Sequence, residues 1–317
     1  MGEEIQGVEE DTGWRKAISE RRDQLQSRVL VWVVGVLLAV LSAYSLFVAY
    51  PSAVSFTSVP VEAVEVSLGF ALLVRILRAA TLGGAVCGGM ICFLITFWTG
   101  SLMDSVLGTG LTPLILLFVL TFVSTRAGRT RKVRTGLAES KRGRSAAQVI
   151  ANLSVAALSV TPYSAKLMER WAAYCCVSGL YNGWAFEVVK VMCLAALVEA
   201  TSDTISSEIG QAFGGQPVLI ITLRKVVPGT DGAVTLLGSF AGVMGGAMVA
   251  LIGGWAMHLS AGAVLTTLAA GVGGLFFDSL LGATVERRGW VGNDLVNFSS
   301  TAFAALLAAV AYRILVL

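Results

Sequence analysis

Long apolar runs alternating with short polar ones divide this chain. Hydrophobic stretches fall at about 29–50, 60–78, 79–99, 110–126, 146–163, 186–206, 234–256, 261–283 and 296–316. Each approaches the roughly 17–25 residues that a helix needs to cross a bilayer core. In lipid the backbone N–H and C=O groups must be paired inside the segment, which selects helices. The pattern predicts an all-α polytopic transmembrane helical bundle of about nine helices, range seven to nine, forming one domain over 29–317. The stretch at 60–78 is the weakest, because Glu62, Glu65, Arg75 and Arg78 crowd it. Residues 164–185 read as an interfacial or re-entrant segment. Residues 1–28 mix both signs of charge with few apolar positions and read as a polar N-terminal tail or short surface helix. They lack the basic start and apolar middle of a cleaved signal.

Composition strengthens the membrane reading. Of 317 residues, 56% are hydrophobic and 14% charged, and the mean hydropathy of +0.78 lies far from that of a soluble domain. The net charge of +3 says less than where the charges fall. With the N-terminus inside and nine crossings, only Lys166, Arg170, Lys190 and Arg313 of the 23 basic residues fall outside, as the positive-inside bias requires. That topology places the C-terminus outside and three connections, near 126–145, 207–233 and 284–297, in the cytoplasm. Cys87, Cys92, Cys175, Cys176 and Cys193 lack metal-ligand spacing and read as buried small hydrophobes, with neither disulfide nor zinc implied. Gly238, Gly242 and Gly246, four apart on one helical face, form a close-packing surface. Glycine faces of this kind serve within one chain or between two, so an oligomer is possible. The basic stretch from Arg126 to Arg134 suits topology and anionic headgroups and is no sign of nucleic-acid binding.

The three cytoplasmic connections hold the unusual chemistry. "EATSDTISSEIG", 199–210, follows an apolar run where a charge costs ~2.5 kcal/mol or more at a helix centre. On a helix Glu199, Asp203 and Ser207 stack on one stripe, and Thr201, Thr204 and Glu208 on another. Asp203 and Glu208 then point about 140° apart by that geometry, so one site needs both only if the helix ends, kinks or is covered on two sides. Gly210, Gly214, Gly215 and Pro217 suggest an end soon after Glu208. The density of acids and hydroxyls, with Ser206 and Ser207, suits oxygen coordination of magnesium. "FFDSLLGATVE" and "GNDLVNF" add Asp278, Glu286, Asn293, Asp294 and Asn297 as oxygen donors, although Asp294 alone could simply cap a helix. "AESKRGRSAAQVIAN", 138–152, places Glu139, Lys141, Arg142 and Arg144 beside the start of a helix bearing Gln148 and Asn152, a natural phosphate site. "TLRKVVPGTDGAV" sets Arg224 and Lys225 before a turn containing Pro228, Gly229, Thr230, Asp231 and Gly232, a form of backbone that can cradle an anion. No P-loop occurs. The single histidine, His258, falls on the far side and argues against His-based catalysis. Carboxylates, amides, cations and a glycine turn on one face are the parts of a phosphoryl-transfer site.

In "TSDTISSEIGQAFG" at 201–214, "KVVPGTDGAVTLLGSFAG" at 225–242, "DSLLGATVE" at 278–286 and "VGNDLVNFSS" at 291–300, the chain resembles the phytyl-phosphate kinases of plastids and cyanobacteria. That family extends to bacterial, archaeal and animal membrane proteins, and the resemblance covers about 75–317. It implies an isoprenyl-phosphate kinase (phosphotransferase) that converts a long-chain isoprenyl monophosphate, such as phytyl or geranylgeranyl phosphate, to the diphosphate. CTP or UTP with magnesium (Mg2+) is the implied donor. Carried onto matching positions, the acidic, metal-holding residues are Asp203, Glu208, Asp278 and Asp294. Asn293, Asn297, Glu139, Arg142, Arg144 and Lys225 match the amide and polar or charged positions around nucleotide and phosphate. The family's turn usually separates its proline and glycine by one residue, often arginine; here Pro228 abuts Gly229, and Arg224 could supply the cation. The competing readings are a polyprenol kinase or cytidylyltransferase, and a membrane transporter of a lipid or ion, which would carry its acids near the midplane of opposed broken helices.

Overall fold

The computed structural model describes residues 18–49, 59–100, 105–137, 142–174 and 184–315. Among them are eleven α-helices: α1 (Glu20–Tyr44), α2 (Val59–Ile76), α3 (Leu82–Thr99), α4 (Leu111–Arg126), α5 (Arg129–Arg134), α6 (Ala146–Ser159), α7 (Pro162–Tyr174), α8 (Trp184–Phe213), α9 (Leu236–Ala256), α10 (Ala261–Leu281) and α11 (Asn293–Leu315). The nine apolar stretches correspond to α1–α4, α6 and α8–α11. By length and apolarity α1, α3, α9, α10 and α11 suffice to cross a membrane, while α4 and α6 are shorter apolar helices. The chain is an all-α helical membrane protein. Helix starts are fixed locally: Thr81, Ser145, Thr235 and Ser260 accept from the N–H three residues on at 3.1–3.2 Å, each worth about 1 kcal/mol.

Helix α8 forms the axis. It packs against α9, α10 and α11 and, on other sides, α4, α6 and α7, and from Val191 to Ser202 every side chain is buried. A helix enclosed on all sides has no polar face to display, which explains its unbroken apolar run. Lipid supplies no hydrophobic drive between helices, so close van der Waals approach must hold them. Glycine provides it: a Cβ on Gly242 would lie 2.5 Å from the Ser202 carbonyl oxygen, and one on Gly238 2.5 Å from that of Ser206. The Gly238–Gly242–Gly246 face is therefore the seam between α9 and α8 inside one chain. By contrast α1 buries the stripe Leu30, Val34, Leu38 and Leu41, with Ser42 beside it, and exposes Trp32, Val33, Val36 and Val40.

Four sequence expectations gain detail. Helix α8 ends at Phe213, soon after Glu208 and just before Gly214; Gly210 and Gly214 also serve close approach to Thr235. The 207–233 connection contains a two-stranded antiparallel hairpin, β1 (Val218–Leu219) with β2 (Ala233–Val234). The tail is helical from Glu20 onward, because Gln26 and Ser27 find partners across the bundle. The 164–185 segment is helical to Tyr174, and 175–183, with Cys175 and Cys176, lie outside the described residues. Cys87, Cys92 and Cys193 are buried free thiols.

Candidate functional site

All three polar connections meet at one end of the bundle. They enclose a cavity of about 310 Å3 lined by Leu137 and Arg144 from the first, Gly215, Pro217 and the run from Pro228 to Thr235 from the second, and Gly282, Glu286 and Asn293 from the third. The hairpin loop reaches back across it. Gly229 and Gly232 hold positive φ of 89° and 72°, the left-handed region that glycine enters without strain. A Cβ on Gly232 would lie 2.5 Å from Cα of Ala283, and one on Gly282 2.7 Å from the Gly232 nitrogen. Backbone thus lies on backbone, and the loop carrying Thr230 and Asp231 becomes a wall of the cavity.

The acids come from α8, the hairpin loop and the end of α10. Asp203, Glu208, Asp231, Asp278 and Glu286 line the cavity. Glu199, one turn below Asp203, is 1% exposed, its side chain packed where a Cβ on Gly274 of α10 would lie 2.5 Å from its Cγ. Ser300 Oγ donates to Asp278 Oδ2 at 3.0 Å, and Asn297, with its amide turned to donate, reaches the same oxygen at 3.3 Å. Arg144 draws on Asp203 electrostatically and donates from Nη2 to Thr204 Oγ1 at 3.4 Å. Asp231 lies outside the spanning segments: burial pushes its carboxyl up to about 6, against the pull of Arg287.

The 140° problem resolves by cover on two sides. Asp203 lies toward Asp278 of α10 and Arg144, while Glu208 forms a buried ion pair with Lys132 of α5. Lys132 is 1% exposed, and its Nζ also donates to Thr125 O at 2.8 Å and Ser124 O at 3.3 Å. Its three donors are thereby used, and the positive charge sits at the C-terminal carbonyls of α4, where the helix dipole favours it.

The structure does not gather Asp203, Glu208, Asp278 and Asp294 into one ligand set. Glu208 lines the cavity but is held by Lys132. Asp294 does not line it, because its Oδ2 accepts from Ser27 Oγ at 2.6 Å. Among the described residues no three His, Cys, Asp or Glu side chains are grouped to hold a metal by themselves. Asp203 and Asp278 on one cavity remain a fit for magnesium. That ion takes one or two carboxylates, retains waters and draws its other ligands from substrate phosphates.

Of the expected phosphate and nucleotide positions, Arg144, Gln148, Asn152, Ser206, Ser207, Gly229, Thr230, Asn293 and Asn297 line the cavity. Gln148 is engaged in a capping box with Ser145, its Oε1 accepting from Ser145 N at 2.8 Å. Asn152 Nδ2 donates to Gln148 O at 2.8 Å. Arg224 and Lys225 do not reach the cavity. Arg224 O accepts from Leu219 N at 2.9 Å and Lys225 bridges Val218, and this pairing leaves both side chains exposed on the hairpin. Arg142 is exposed at the turn before α6. Glu139 and Lys141 lie outside the described residues. Sequence reasoning missed Lys132, one cation among many in a basic run, for which no local signal exists. Glu199 did carry a signal, the cost of an acid within an apolar run, as did Asp231 in its glycine turn.

The family model described as integral membrane protein DUF92 matches residues 65–305. An uncharacterized membrane protein of Methanocaldococcus jannaschii is 38% identical over 119 residues, 38% of this chain and 50% of that protein. One of Synechocystis is 30% identical over 187 residues, 58% of this chain and 66% of the relative. Protein VTE6, chloroplastic, of Arabidopsis thaliana is 27% identical over 201 residues, 60% and 55% of the two chains. The matched region thus spans between half and two thirds of the length of these relatives. No solved structure matches the chain.

Proposed function

This chain belongs to the DUF92 family of integral membrane proteins, and from that premise we propose that it is a membrane kinase transferring a phosphoryl group from CTP or UTP to a long-chain isoprenyl monophosphate. The observation that carries the reading is Arg144 on the wall of a cavity that also presents Asp203 and Asp278. An arginine and two carboxylates at one opening suit a reaction between two phosphates, which needs charge offset and alignment more than a protein nucleophile. Resemblance to the phytyl-phosphate kinases supplies the substrate class.

In this scheme an oxygen of the acceptor phosphate attacks the γ-phosphorus of the donor. The bond from that phosphorus to the β–γ bridging oxygen breaks, and the nucleoside diphosphate leaves with the electron pair. The acceptor oxygen is already anionic, so no strong general base is required. Asp203 and Asp278 would hold magnesium, and the ion would supply charge offset on the transferred group. Ser300 and Asn297 fix the Asp278 carboxylate. Arg144 binds acceptor phosphate with a planar fork matched to its oxygens. The loop at 228–232 covers the donor, with Asn293 beside it.

The test uses detergent-purified protein, magnesium and γ-labelled CTP, UTP or ATP, with geranylgeranyl monophosphate or the free alcohol as acceptor. Labelled diphosphate formed by the parent protein and lost in folded Asp203→Asn is the expected result. Monophosphate formed only from the alcohol, or no transfer by folded protein, overturns the assignment.

A further inference from the structure

A second cavity, about 380 Å3 in volume, lies between α2 and α4 over the floor made by α3 and α6. Its character is opposite to the first. Phe70, Val74, Leu114, Leu117 and Phe118 line its depth, and Phe70 and Phe118 stand edge to face at 5.5 Å across it. Among its lining residues Leu77 is exposed, and Ile76 on α2 and Val119 and Val123 on α4, which flank the lining without belonging to it, are exposed apolar positions as well. Polarity changes at one end only, where Arg78, Arg126, Arg129 and Arg144 converge. Arg144 lines both this cleft and the acidic cavity.

The position of Arg144 is set by backbone. Its N–H donates to Ala79 O at 2.9 Å and its carbonyl accepts from Thr81 N at 3.0 Å, which fastens it to the turn between α2 and α3. Arg126 fixes the opposite lip: its guanidinium lies 3.3 Å over the Phe122 ring, and Nη2 donates to Leu77 O at 3.4 Å. An apolar channel open to the bilayer, ending in four arginines at the wall of an acidic cavity, complements one kind of occupant. That occupant has a single greasy chain and a phosphate at one end. A volume near the small end of ligand pockets, about 300–1,000 Å3, favours one chain over the two of a bilayer phospholipid.

We infer that the α2–α4 cleft seats the isoprenoid chain of the acceptor, entered sideways from the membrane, and that Arg144 receives its phosphate at the junction of the two cavities. The inference rests on the kinase reading for the identity of the acceptor, and it adds a location and an entry route. It assigns specificity to Gly88, where a Cβ would meet Phe70 and Val149 only at 3.9 Å. A methyl fits there, whereas a larger side chain occupies the channel.

The test is photocrosslinking of the full chain in lipid nanodiscs with a C20 isoprenyl monophosphate carrying a diazirine at its tail, followed by peptide mapping. Label on α2, α3, α4 or α6, displaced by unlabelled geranylgeranyl monophosphate and not by excess phosphatidic acid, is expected. In parallel Gly88→Leu and Leu77→Trp should raise KM for the C20 acceptor about tenfold or more. KM for nucleotide and turnover of a C5 acceptor should stay unchanged. Label on α9–α11, equal displacement by phosphatidic acid, or equal loss with C5 and C20 acceptors would overturn the inference. Label in the cleft from a protein that transfers no phosphate would retain the cleft and remove the kinase reading; transfer with label elsewhere would do the reverse. Should either variant fail to fold, the map of the parent protein decides.

Discussion

The two cavities share one arginine and little else. The acidic one is built where α8 meets α10 and α11, under a glycine loop laid on another backbone; the apolar one lies between α2 and α4, walled by phenylalanine. In the first, glycine lets backbones approach so closely that carboxylates from α8, the hairpin loop and the end of α10 line one space. In the second, large rings hold the helices apart and leave a channel. Small residues concentrate polar chemistry in this bundle, and large ones make room.

Breaking the buried pair at the edge of the acidic cavity should have the largest effect. Lys132→Met leaves the Glu208 carboxylate without its cation, a loss of about 3–5 kcal/mol for such pairs. Thermal unfolding in detergent should show a large drop, most of it restored in the Lys132→Met/Glu208→Gln double variant. A drop of equal size in the double variant would mean that packing, and not charge, is responsible. Next in size, Asp278→Asn should reduce kcat by about 10²–10³-fold with little change in unfolding temperature, whereas Asp294→Asn, whose partner is Ser27, should retain most of the turnover. Equal losses in the two would erase the distinction drawn between them.

Smaller still, Arg144→Lys keeps the charge and loses the fork. It should raise the acceptor KM about tenfold, roughly 1.4 kcal/mol, and leave the nucleotide KM in place. The smallest effect concerns pH. Burial raises Asp231 from 3.8 to about 6, so the folded state favours its protonated form. The stability this gives is complete below 3.8 and disappears as pH rises through about 6. Asp231→Asn should therefore flatten unfolding temperature against pH across that window, and an unchanged slope would show that Arg287 already balances the charge.

How much of this was legible in the chain depended on range. The nine apolar stretches became nine helices because length and hydropathy act within a segment. The convergence of 126–145, 207–233 and 284–297 followed from counting crossings. Asp203, Asp278 and Arg144 were recognizable because charge beside a membrane helix demands a reason. The rest needed the third dimension. Lys132 looks like its neighbours until Glu208 is placed against it. Arg224 and Lys225 looked like phosphate ligands until hairpin pairing left them exposed. Gly210 reads as one of several signals for the helix end at Phe213, and only the fold shows that its missing side chain also admits Thr235 and Gly238.

The fastening of Arg144 to the α2–α3 turn bears on how such a protein can drift. Its two bonds join main chain to main chain, to Ala79 O and from Thr81 N, so neither depends on a side chain while the guanidinium keeps its address. The veto falls elsewhere. A Cβ at Gly143, which has φ of 79°, would lie 2.6 Å from the carbonyl oxygens of Arg78 and Ala79, and proline at Thr81 would delete the donor. The arginine's place is thus guarded less by the side chains of the residues that hold it than by a glycine beside it that touches no substrate.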